Sequence, residues 1–122
     1  MKFSVDKKDS YCIFKLEESK LDSFNAPKMK SELVLLSTEG NRNVILDLSV
    51  VQFIDSSGLS SILVGNRLSK EAKGTFVVAA PNENVTRLLR ISQLESVLNI
   101  VPTVDEGTDM ILMDELERDL KG

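Results

Sequence analysis

Residues 44–63 read VILDLSVVQFIDSSGLSSIL, an apolar run that passes through a polar turn into a helical pattern. Val44-Ile45-Leu46-Asp47-Leu48 is nearly continuous in apolar character, as a strand covered on both faces must be. A short link follows, and Asp55-Ser56-Ser57-Gly58 opens into Leu59, Ile62 and Leu63 at helical spacing. A buried strand feeding a helix points to an α/β arrangement with helical cover on a largely parallel sheet. The turn between them places two hydroxyls at the positive end of a helix, where a phosphate could be added or held.

The flanking segments extend that pattern. Phe3 and Val5 alternate with Lys2, Ser4 and Asp6, and Lys7-Lys8-Asp9-Ser10 reads as a turn before the strand Tyr11–Leu16, so the chain opens on a hairpin. Ser23 and Asn25 are candidate caps for a helix with Pro27 in its first turn, Met29, Leu33 and Leu36 on one side, and Gly40 as its stop. The next helix runs from about Ser57 to Ala72. Thr75–Ala80 is a strand, Val85, Leu88 and Leu89 mark a short helix with Arg87 and Arg90 outside, and Val97–Val101 is a last strand. A final helix after Pro102-Thr103 is expected to carry Ile111, Leu112, Leu116 and Leu120 on one side, and the charge-rich stretch from Glu115 to Gly122 is expected to fray. The predicted order is β-β-α-β-α-β-α-β-α: about five strands in a mixed, mostly parallel sheet with four helices, forming one domain over residues 1–122.

Composition narrows the chemistry. Fifteen basic residues against 19 acidic ones leave a net charge of −4, which argues against a nucleic-acid binder and suits an acidic protein that meets another protein. The chain has no His, so histidine triads are excluded and neither a metal site nor a cofactor is expected. The single Cys12, in an apolar run, is expected to be a buried strand residue in a reducing compartment. The N-terminus lacks the apolar core of a signal peptide, and no run reaches the ~20 apolar residues of a membrane helix, so a cytoplasmic location is expected.

A Ser or Asp ahead of a helix is most often only a cap, and Gly58 could serve simply to let the helix start pack against a strand. Three details reach further. Glycine admits a phosphate or a docked partner, the turn sits at the strand-to-helix edge where ligands of α/β sheets gather, and the helix carries two apolar stripes. Leu59, Ile62 and Leu63 share one side, while Val64, Leu68 and Ala72 fall nearly opposite. The second stripe is either core against a neighbouring helix or a contact surface for a partner.

The whole chain resembles the STAS domain, most closely the small single-domain bacterial anti-sigma factor antagonists. The likeness rests on Leu21-Asp22, Asp47-Leu48-Ser49, Phe53-Ile54-Asp55-Ser56-Ser57-Gly58-Leu59, Val85-Thr86-Arg87-Leu88-Leu89 and the Leu94, Val97, Ile100, Thr103 tail. The resemblance implies a partner switch. The unphosphorylated antagonist binds an anti-sigma factor serine kinase of GHKL type, the kinase phosphorylates the serine directly after the motif aspartate, and a PP2C-type phosphatase reverses it. That serine is Ser56 here. Asp22, Asp55, Ser57 and Gly58 are its implied neighbours, and Leu59, Val64 and Leu68 the expected partner contacts. The protein itself would be no enzyme, bind neither nucleic acid nor membrane, and be a monomer or weak dimer. The alternative is a STAS module that binds without phosphorylation, as a scaffold or in a lipid-transport complex. A nucleotide sensor using the amides of Ser56 to Gly58 is a third reading, though no Walker-type loop is present.

Overall fold

Side chains that alternate along a parallel sheet divide the core into two layers, and each layer recruits its own helices. The computed structural model describes residues 1–121. In chain order its elements are β1 (Phe3–Lys7), β2 (Cys12–Leu16), β3 (Lys20–Leu21), α1 (Ala26–Thr38), β4 (Val44–Asp47), β5 (Phe53–Ile54), α2 (Ser56–Glu71), β6 (Phe76–Ala79), α3 (Glu83–Ile91), β7 (Asn99–Val101) and α4 (Val104–Lys121). The main sheet has five strands in the order β1-β2-β4-β6-β7, antiparallel only between β1 and β2. This is the expected mixed α/β sheet with four helices. The two-residue strands β3 and β5 are additional, and they pair with each other in parallel. The predicted domain over 1–122 includes Gly122, which lies outside the described residues.

One layer joins Phe14, Leu16, Leu46 and Val78 of the sheet to Met29, Leu33 and Leu36 of α1, Ile62 of α2, and Val85 and Leu89 of α3. The other joins Ile45, Val77, Ala79 and Val101 to Ile111 of α4. Cys12 is fully buried in the first layer, and burial pushes its thiol up to about 11 although the Lys7 charge acts slightly the other way.

The α2 helix explains its own double stripe. Its most buried positions are Gly58, Ser61, Ile62, Gly65, Asn66 and Ser69, mostly small residues at helical spacing. A methyl on Gly65 would lie 2.5 Å from Cε1 of the buried Phe76 ring and 3.2 Å from Leu33, so glycine is what lets α2 approach β6 and α1 closely. The two apolar stripes are the shoulders of this narrow face. Leu59 and Leu63 form one shoulder, and Val64 and Leu68 form the other; all four are half-buried.

The expectation for α4 needs correction. Ile111 is buried, but Leu112, Leu116 and Leu120 are exposed, together with Met113. The inner face is instead Gly107, Ile111 and a polar clamp. Glu115 accepts hydrogen bonds from Arg42 (2.8 and 3.2 Å), Arg118 (2.8 Å) and the Asn43 side chain. Asn43 also accepts from the Thr75 amide at 2.8 Å, and the Thr75 hydroxyl donates to Asp114 at 2.9 Å. These bonds join α4 to the residues preceding β4 and β6. The tail expected to fray from Glu115 stays helical to Lys121, with Glu115 and Arg118 held in the clamp.

Partial burial works against a charge on Glu115, but hydrogen bonds from Asn43, Arg118 and Arg42 and the Arg118 charge outweigh it and pull its carboxyl from 4.5 down to about 2. Because the folded value is the lower one, this stabilisation is fully present above about pH 4.5 and is lost as pH falls toward about 2. Glu115→Gln should lower unfolding free energy at neutral pH by about 1–2 kcal/mol, a figure discounted for solvent screening at the rim. Urea unfolding across pH 2 to 7 should show a shallower acid limb for the variant than for the native protein.

Candidate functional site

The β3–β5 ladder builds the site by setting two polar turns side by side. Lys20 pairs with Phe53 and Leu21 with Ile54, and the amides of Gln52 and Phe53 both donate to the Ser19 carbonyl, at 2.7 and 3.2 Å. The turn Asp22–Asn25 leaves β3, and the turn into α2 leaves β5. Asp55 joins them. Its amide donates to the Leu21 carbonyl at 3.2 Å. One carboxylate oxygen accepts from the Gly58 amide at 2.9 Å, capping α2, and the other accepts from the Ser23 amide at 3.1 Å.

Asp22 shapes the first turn: its carboxylate accepts from the Phe24 amide at 3.0 Å. Asn25 stands at the cap position of α1 but makes no side-chain cap there. Its amide group braces the turn instead, accepting from the Asp22 amide at 2.9 Å and donating to the Lys20 carbonyl at 2.6 Å. Ser23 lies ahead of the cap position of α1, which Asn25 occupies, and its amide donates to Asp55.

Ser56 is the first residue of α2, one position earlier than the periodicity indicates, and it is exposed. Ser57 is half-buried and Gly58 buried. A side chain on Gly58 would run into the Leu21 carbonyl oxygen, so this glycine serves close packing of α2 on β3. That is the plainer of the two readings open from the sequence.

Beside Ser56 an open groove of about 590 Å³ runs between the start of α2 and α3. Its apolar lining is Phe53, Ile54, Leu59, Leu88 and Ile91, and Asp55, Ser56, Asn84, Arg87 and Ser92 edge it. Phe53 is 52% exposed and Ile91 71%, and the two line one groove, so their apolar surface is contiguous rather than scattered. Asn82 sets the far wall as Asp55 sets the near one: its side chain caps α3 by accepting from the Val85 amide at 2.8 Å and donates to the Gln52 carbonyl at 3.3 Å. Of the three side chains expected at a partner surface, Leu59 lies in the groove, whereas Val64 and Leu68 occupy the other shoulder of α2.

A model of the STAS domain matches residues 2–107. The chain belongs to the STAS domain family. BtrV of Bordetella bronchiseptica, which bears the name of an anti-sigma factor antagonist, is 29% identical over 100 residues, covering 82% of this chain and 85% of its own. The anti-sigma-B factor antagonist of Staphylococcus epidermidis is 29% identical over 92 residues, 74% of this chain and 80% of that protein. The crystal structure of TM1081 from Thermotoga maritima superposes with a TM-score of 0.80 at 27% identity, covering 89% of this STAS domain and 93% of that chain.

The groove side chains that sequence reasoning left out of the site are Phe53, Ile54, Asn84, Arg87, Leu88, Ile91 and Ser92. Their signal was faint: Leu88 and Ile91 are apolar at a spacing of three, but in a nine-residue helix whose Val85 and Leu89 already account for burial. The Asp55 junction gives a direct test of the corner. Asp55→Ala should destabilise the protein by about 1–2 kcal/mol, because it removes the α2 cap and the bond that ties it to the Ser23 turn. Gly58→Ala should destabilise it by a similar ~1–3 kcal/mol through the collision with Leu21. Ser57→Ala should stay within about 0.5 kcal/mol. Chemical unfolding of the three variants checks the ranking.

Proposed function

We propose that this STAS domain is an anti-sigma factor antagonist in a partner-switching circuit, with Ser56 as the switched residue. The observation that carries the reading is the exposed Ser56, held at the rim of an apolar groove by a rigid turn that Asp55 and Asp22 build. The unphosphorylated protein docks through this groove on an anti-sigma factor of the GHKL serine-kinase type. Leu59 supplies contact in the groove, while Val64 and Leu68, on the other shoulder of α2, lie outside it. The names of the relatives support the direction of the reading, since they antagonise anti-sigma factors.

The chain is the phosphate acceptor and no enzyme. It has no His, and both oxygens of Asp55 are already engaged by backbone amides. Activation therefore comes from the kinase: the Ser56 hydroxyl oxygen attacks the γ-phosphorus of ATP, ADP leaves, and the hydroxyl proton passes to a kinase base. A PP2C-type phosphatase hydrolyses the ester and restores the docking form. The buried reduced Cys12 fits a cytoplasmic setting, and no helix of the described residues is long and apolar enough to cross a membrane.

A phosphoserine carries about −1.5 to −2 charges at pH 7. At the first position of α2 each charge gains roughly 0.3–1 kcal/mol from the helix end, and the neighbouring carboxylates of Asp55 and Asp22 offset that gain, so the fold stays as it is. Burying the same dianion against a partner without a counter-charge costs several kcal/mol. A penalty of about 3 kcal/mol is more than a hundredfold in affinity. Ser56→Asp should therefore bind the cognate kinase at least about tenfold more weakly than Ser56→Ala, with both melting near the native temperature. Calorimetric titration of the kinase checks it, and equal affinities would defeat the veto. Intact mass after incubation with kinase and ATP separates this reading from a STAS module that never carries phosphate.

A further inference from the structure

The outer face of α4 is unpartnered and faces away from the switch. Leu112, Met113, Leu116 and Leu120 are 46%, 57%, 53% and 80% exposed. At 100° per residue they form one stripe, opposite the buried Gly107 and Ile111. The stripe cannot turn inward, because Glu115 and Arg118 lock the inner face to Arg42, Asn43 and Thr75. The helix is thus a fixed ridge on the sheet face that α1, α2 and α3 leave to it.

Charge says what fits the ridge. The exposed charged residues of α4 are Asp105, Glu106, Asp109, Glu117 and Asp119 against Lys121. Glu106 and Glu117 border the stripe on one side, Asp119 borders it on the other, and Asp105 and Asp109 prolong it toward the helix start. Among the described residues none of these five carboxylates is in an ion pair. A second copy of the same face would set two acidic rims against each other, and an anionic lipid surface would repel them as well. A helix whose apolar ridge is edged with Lys and Arg would neutralise them.

We propose that α4 is a second docking surface, for a basic amphipathic helix of a partner protein. It lies across the sheet from Ser56, so occupancy is independent of the switch and both surfaces can be engaged at once. The proposal does not depend on Ser56 being phosphorylated.

The probe is a synthetic helical peptide with a leucine ridge edged by lysines, compared with one edged by glutamates. Backbone amide NMR of the full chain should show the lysine peptide shifting signals of α4, and Ser56→Asp should leave its affinity unchanged. Leu116→Ser combined with Leu120→Ser should weaken it about tenfold or more without changing the melting temperature, since both side chains are exposed. Asp109→Lys combined with Asp119→Lys leaves Asp105, Glu106 and Glu117 against two lysines, and should erase most of the preference for the lysine peptide over the glutamate peptide. The proposal is overturned if the lysine peptide does not bind, if it binds the serine double variant equally, or if its shifts map to the Ser56 groove. It is also overturned if the chain dimerises through this stripe, or binds phosphatidylglycerol vesicles in a way that Leu116→Ser abolishes.

Discussion

The contact between α2 and the Leu21 carbonyl sets everything at the functional corner. Helix α2 begins where it does because the Leu21 carbonyl takes the Asp55 amide, and because Gly58 leaves that oxygen room. Asp55 then spends one carboxylate oxygen on the helix and the other on the neighbouring turn. Two loops that would otherwise move separately become one body, and an N-cap alone would not do this. A charged acceptor serving two backbone donors is also worth more than a neutral one, because charge-assisted bonds are the stronger class. Ser56, the next residue, inherits a fixed position without any bond of its own being needed.

The opposite end of the molecule is held by different chemistry. There the α4 clamp of Arg42, Asn43, Thr75, Asp114, Glu115 and Arg118 replaces apolar contact between the helix and the starts of β4 and β6. The apolar contacts of α4, from Val104, Gly107, Met110 and Ile111, all lie in its first half, so the second half has little apolar surface to hold it. The clamp makes up the difference, and it also fixes which way α4 faces. Apolar residues on the outer side are the consequence: the inner positions of the same turns are taken by polar side chains that satisfy one another.

How much of this was legible follows from what each element uses to hold itself. The five-stranded sheet and four helices could be read because β4 and β6 are buried throughout and the helices between them have periodic apolar positions. The strands β3 and β5 could not, since two residues give no period and their pairing is a long-range event between residues 20–21 and 53–54. The phase of α4 was misread for the same reason in reverse: a leucine pattern at helical spacing was visible, while the carboxylates and guanidiniums that occupy its inner face look like surface residues in a sequence. Ser56 and Asp55 were legible from the strand-turn-helix order and from likeness to the STAS domain. The groove beside them was not, because it exists only once Phe53 from one loop and Leu88 and Ile91 from α3 are brought together by Asn82 and the β3–β5 ladder.

The proposed switch gains its sign from this geometry. In the free protein a phosphate on Ser56 stands in water at the amide end of α2, which favours negative charge. In a docked complex the same phosphate is pressed toward Phe53, Leu59 and Ile91, where water is removed. The first effect is small, because the Asp55 carboxylate beside Ser56 opposes it, and the second is the larger and sets the sign. Neither asks the core to move, since the bonds of Asp55 to the Ser23 and Gly58 amides are made without the Ser56 hydroxyl. A corner built this way transmits nothing through the fold. The proposed switch would act where it stands, at the docking surface itself.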